Sequence, residues 1–174
     1  MGKMRKFIFL LMSATFASAL QGAPLIIADG KKSEYQIVVP ESSGNKTLDK
    51  YVTLGGQVIQ TALRKATGTS VPVVTESKKI PGKPAIYVGN TRAAAKAGLS
   101  SAGFANWEHA IVVKGKDIFC YGKDLGNPYK KSDMVPALKY PDYFVHYING
   151  SLKAACTFVQ KFVNTRFVIP KFNA

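Results

Sequence analysis

From Glu34 to Pro40 the chain reads EYQIVVP, a β-branched apolar run stopped by a proline, and this predicts a strand. A shorter apolar run, Leu25 to Ala28, predicts another just before it. Ser42-Ser43-Gly44-Asn45 then forms a loop. Leu48, Tyr51, Val52, Gly55, Val58, Ile59, Ala62, Leu63 and Ala66 recur at three- and four-residue spacing. That spacing predicts an amphipathic helix, capped near Thr47 and ended around Gly68, with Asp49, Lys50, Gln57, Gln60, Arg64 and Lys65 on its polar face. Gly55-Gly56 lowers helix propensity in mid-segment, and two residues without side chains there let the helix sit close on a sheet.

Val71 to Val74 predicts a short strand, and Ala85 to Val88 another after the turn signal Pro81-Gly82. Gly89-Asn90-Thr91 opens a short helix from Arg92 to Ala97, with Asn90 or Thr91 as its N-cap. Glu108 to Val113 and Asp117 to Tyr121, separated by Lys114-Gly115-Lys116, predict a β-hairpin. From Gly122 to Asn149 no period is sustained, and Pro128, Pro136 and Pro141 interrupt the chain. This predicts a long insertion loop at about 123–149, a length more often functional than idle. Leu152, Ala155, Cys156, Val159, Phe162 and Val163 mark a last helix, and Arg166 to Ile169 a last strand. The order predicts an α/β (α+β) fold: one domain, with a mixed β-sheet and about three helices packed on it.

The first residues are of another kind. Lys3, Arg5 and Lys6 precede the apolar run Phe7 to Leu11, which fades into Ala17-Ser18-Ala19. This order predicts a cleavable signal peptide over residues 1–19 and a mature chain from residue 20, secreted or periplasmic. The apolar core spans about a dozen residues, short of the ~20 that a membrane-spanning helix needs, so no membrane partner is expected after cleavage. Losing three cations lowers the formal charge from +14 to +11. Such an excess suits nucleic acid or an acidic glycan, but export argues against nucleic acid. The lysines stand in ones and twos, as in Lys31-Lys32 and Lys78-Lys79, which fits a solvated surface.

Ten carboxylates are present, and none forms an acid/base pair by spacing. His109 and His146 stand without an H-x-x-x-H or C-x-x-C, so no metal is expected, and no G-x-S-x-G elbow occurs. Gly89-Asn90-Thr91 lacks the phosphate-cradle patterns and reads as a helix cap, so no cofactor is expected. Cys120 lies in a strand-like run and Cys156 on the apolar stripe of the last helix; two buried free thiols are the expected state, with a disulfide as the alternative. The strongest surface feature is in the insertion. There Tyr129, Tyr140, Tyr143 and Tyr147, with Lys130 and Lys131, could stack on sugar rings while the cations meet uronate or sulfate groups; pinning the insertion onto the domain is the simpler role.

Several of these runs together resemble a known domain. The strand ending IVVP, the helix closing on Ala66-Thr67-Gly68 and leading into VPVV, the strand AIYVGNT and the hairpin EHAIVVKGKDIFCYGKD are similar to the accessory α/β domain that precedes the catalytic barrel in secreted β-hexosaminidases and α-glucuronidases. The run GSLKAACTFVQKFVNTRFVIP looks like that domain's final helix and strand, so the resemblance covers about residues 25–170. It implies a non-catalytic accessory domain of a polysaccharide-degrading glycoside hydrolase. Its partner would be a catalytic barrel, met by an apolar face that includes some of Phe167, Ile169 and Phe172. Catalytic residues of such enzymes lie in the barrel, so none is carried onto this chain. The departures are the insertion after Lys123-Asp124-Leu125-Gly126, Lys153 and Cys156 where bulkier residues are common, and Asn164-Thr165 in place of a glycine-containing turn. The alternative reading is a free-standing secreted module that holds an anionic polysaccharide through the basic, aromatic insertion.

Overall fold

A computed structural model describes residues 25–29, 32–126 and 148–164. The signal segment, most of the insertion and the predicted strand Arg166 to Ile169 lie outside the described residues.

The elements are β1 (Gln36–Val39), α1 (Lys46–Thr67), β2 (Val73–Thr75), β3 (Ala85–Val88), α2 (Arg92–Lys96), β4 (His109–Lys114), β5 (Asp117–Gly122), β6 (Asp124–Leu125), β7 (Ile148–Asn149) and α3 (Gly150–Phe162), with a 3-10 turn at Glu76–Lys78. Five strands form a sheet in the order β2-β1-β3-β5-β4. The first four are parallel and β4 is antiparallel to β5, as the hairpin pattern predicts. The mixed sheet with three described helices is therefore the predicted α/β fold.

The sheet is covered on both faces, which explains why β1, β3 and β5 read as unbroken apolar runs. Ile37, Val39, Ile86, Val88, Ile118 and Cys120 point to one side, where they pack with Ile59 and Leu63 of α1 and with Ala155, Phe158 and Val159 of α3. Val38, Ala85, Tyr87, Phe119 and Tyr121 point to the other side, toward Ala94 of α2 and the segment carrying Leu99 and Phe104. The rings of Tyr87 and Phe119 stack there with centroids 4.9 Å apart.

Gly55 and Gly56 do what their position predicts. A Cβ on Gly55 would lie 3.1 Å from Val88 Cγ1, and one on Gly56 would lie 3.1 Å from Val73 Cγ1, so α1 rests directly on the sheet. Three expectations are corrected or sharpened. Leu25 to Ala28 is no strand; it runs along the end of the body, and only Asp29 and Lys32 make an isolated bridge. The cap of α1, expected near Thr47, is Asn45 two residues earlier, whose side chain accepts from both the Thr47 and Leu48 amides. The ends of the insertion are not loop: β6 and β7 pair as a two-stranded ribbon that leads into α3.

Candidate functional site

In a sheet of this type, ligands settle outside the carboxyl ends of the strands, where neighbouring connections leave in opposite directions. Here β1 leaves through α1 to β2 on one side, while β3 has β5 on its other side. Between those ends lies a crevice of about 490 Å³. Its lining includes Glu41 after β1, Asp49 at the start of α1, Glu76 after β2, Asn90 and Arg92 after β3, and Asp124 after β5. Four of the ten carboxylates of a strongly basic chain thus converge on one edge.

Each carboxylate has a local task. Glu41 accepts from the Ser77 amide at 2.7 Å, and this bond is the main cause that holds its carboxyl below the usual range. Asp49 is pushed up by burial, but the Ser43 amide at 2.9 Å and the Ser43 and Ser42 hydroxyls, both at 2.7 Å, together bring it below its ordinary value. Glu76 accepts from the Ala93 amide at 3.2 Å and pairs with Arg92 at 3.5 Å. That pair is exposed on the Arg92 side and worth little to stability.

Asp124 differs in being mostly buried. It accepts from the Ser151 amide at 2.9 Å, the Ser151 hydroxyl at 2.5 Å and the Asn90 side chain at 3.3 Å. Burial still wins over the Ser151 bonds and raises its pKa. The contribution is thus fully present below the ordinary carboxyl value of ~3.9 and lost as pH rises through the raised folded value. Asp124→Asn keeps an acceptor for the Ser151 amide and offers a donor to its hydroxyl. The wild-type chain is expected to gain stability relative to Asp124→Asn as pH falls from 7 toward ~4. Melting temperatures of the two across that interval check it, and parallel curves would refute it.

The segment Lys123 to Gly126 begins the β6 ribbon and supplies the partly buried Asp124. Gly89-Asn90-Thr91 is a helix cap as expected, with Thr91 Oγ1 accepting from the Ala94 amide. His109 bridges β4 to α3: its Nδ1–H donates to the Trp107 carbonyl at 3.3 Å, and in the neutral ring Nε2 accepts from the Thr157 hydroxyl at 3.0 Å. Among the described residues no group of His, Cys, Asp and Glu is arranged to hold a metal ion. The predicted glycan-contacting residues Tyr129, Lys130, Lys131, Tyr140, Tyr143 and Tyr147 lie outside the described residues.

Cys120 and Cys156 are both free thiols. Cys120 is buried, and burial pushes its thiol up to about 12; Cys156 is half-buried and raised for the same reason. In the native chain one thiol should react with a disulfide reagent, slowly, and the second only on unfolding. Native reaction of two thiols at one rate would contradict the burial of Cys120.

A second concavity, about 520 Å³, opens at the opposite end of the body. Leu25, Ile26, Leu63, Ile111, Val113, Phe158, Phe162 and Val163 line it, so it is a groove of apolar side chains. Ile26, Val113 and Phe162 are 66%, 55% and 63% exposed within it. No helix among the described residues is long and apolar enough to cross a membrane. No protein-family model matches the chain, and no curated protein matches it significantly.

Proposed function

We propose that this chain is a non-catalytic accessory domain of a secreted or periplasmic carbohydrate-active enzyme, one that degrades polysaccharide by hydrolysing glycosidic bonds. The observation that carries the reading is the apolar groove where α3 runs out at Phe162 and Val163. A row of exposed Ile, Val and Phe side chains is unfavourable in water and suits an interface with a second body. A catalytic barrel is the partner that the resemblance supplies. The crevice at the other end supports the same reading, because its carboxylates are bound to backbone amides and serine hydroxyls of this chain.

The sequence of the locus beyond the Ala174 codon tests the proposal. A barrel-coding frame next to it, in or out of frame, is the expected result; a stop with no such frame nearby would remove the reading. Turnover of aryl glycosides by the purified chain would overturn the non-catalytic part.

A further inference from the structure

Trp107 is the only tryptophan of the chain, and it stands in a left-handed backbone conformation with φ 67°. Bulky side chains rarely adopt that conformation, and a glycine would take it freely. The indole belongs to neither core cluster and is 44% exposed. Its loop is nevertheless firmly built. Phe104 anchors it by stacking on Tyr121 with centroids 5.5 Å apart. Ser101 Oγ donates to Asn90 Oδ1 at 2.8 Å, the Ala105 amide to Glu108 Oε2 at 2.6 Å, and the Lys123 amide to the Glu108 carbonyl at 3.0 Å. A strained, exposed aromatic on a fixed loop points toward function more than toward folding.

We infer that Trp107 is a stacking platform for a hexopyranose ring of a polysaccharide, at a place separate from the crevice. A pyranose has an apolar C–H face for the indole and a rim of hydroxyls for hydrogen bonding. Asn106 and Glu108, the exposed neighbours of Trp107, carry the amide and carboxylate that such hydroxyls use. The same carboxylate disfavours a nucleobase, whose phosphates would approach it. The polar neighbours also disfavour a helix of a protein partner, which needs apolar positions in a row. This inference rests on reading the chain as part of a glycan-acting protein.

Since Trp107 is the only indole, its emission reports on the site directly. The full chain, Trp107→Gly and Trp107→Phe are compared by affinity electrophoresis in gels containing hydroxyethyl cellulose, xylan or polygalacturonate. The wild-type and Trp107→Phe chains are also titrated with the same polymers and with a single-stranded oligodeoxynucleotide. A saturable emission shift with at least one polysaccharide is expected, with retardation lost in Trp107→Gly and partly kept in Trp107→Phe. Because glycine relieves the strained φ, Trp107→Gly should melt no lower than wild type. Equal retardation of wild type and Trp107→Gly overturns the platform and leaves a glycan-acting protein standing. An emission shift with the oligonucleotide alone, or with no polymer, overturns it as well, while the accessory-domain reading is decided by its own locus. If Trp107→Gly melts lower, Trp107→Phe decides: full retardation by a chain without indole overturns the proposal, and partial loss supports it.

Discussion

Gly122→Ala is expected to destabilise the fold by on the order of 3 kcal/mol, the upper range for overpacking, and to lower the melting temperature by roughly 10 °C. A Cβ on Gly122 would lie 2.5 Å from the Gly150 carbonyl carbon and 2.7 Å from both Gly150 Cα and the Glu108 oxygen. All three are backbone atoms, so no rotamer change relieves the clash. The relation is reciprocal, since a Cβ on Gly150 would meet Lys123 N at 2.5 Å and the Glu108 oxygen at 2.7 Å. At this junction the end of β5, the start of α3 and the residue before β4 are laced together. The Lys123 amide donates to the Glu108 carbonyl at 3.0 Å, and the Gly150 amide to the Lys123 carbonyl at 2.8 Å. Spreading them by a few tenths of an ångström also strains the Ser151 hydroxyl that the Gly122 amide reaches at 3.2 Å. Gly103 has open space where its Cβ would be, so Gly103→Ala should stay within about 0.5 kcal/mol of wild type. Equal urea midpoints for the two variants would show that the junction yields.

The elements legible in the sequence are those whose stability is local or periodic. Helix α1 carries its apolar stripe over 22 residues and ends on Gly68 with φ 75°, so both its face and its end were visible. The β4–β5 hairpin and β3 were visible for the same reason. Leu25 to Ala28 has the composition of a strand, but strand formation depends on an available edge, and these residues line the apolar groove instead. The ribbon of β6 and β7 gave no signal, since two-residue strands have no period; Asp124 and Ser151 help hold it to α3. The crevice was invisible for a topological reason. Glu41, Glu76 and Asp124 follow three different strands, and only the parallel arrangement brings those strand ends to one edge. Trp107 gave no signal in the sequence, because its left-handed φ comes from the turn between Ala105 and Glu108.

The second large effect is expected at Gln36, a polar side chain with no exposure at the start of β1. Alternation puts it on the same face as Val38, beneath the loop that carries Pro81 and Gly82. Its amide nitrogen donates to the Ile80 carbonyl at 2.9 Å and the Lys83 carbonyl at 3.3 Å, while its oxygen accepts from the Ile80 amide at 2.9 Å. One side chain thus plays the part of a missing strand for that loop. Gln36→Leu keeps the approximate volume and removes all three bonds, and a loss of about 3 kcal/mol is expected, because unpaired polar groups cost more than the bonds contribute. Gln36→Glu separates packing from hydrogen bonding. It retains the acceptor for the Ile80 amide but turns a carboxylate oxygen toward two carbonyls. The folded state therefore favours its protonated form, which can donate to one of them. A carboxyl raised in the folded state gives stability that is lost as pH rises. Gln36→Glu should accordingly be less stable than Gln36→Leu at pH 7 and recover toward pH 4. Urea unfolding at both pH values measures this. A Gln36→Leu chain as stable as wild type would mean that the loop is held by its own turn.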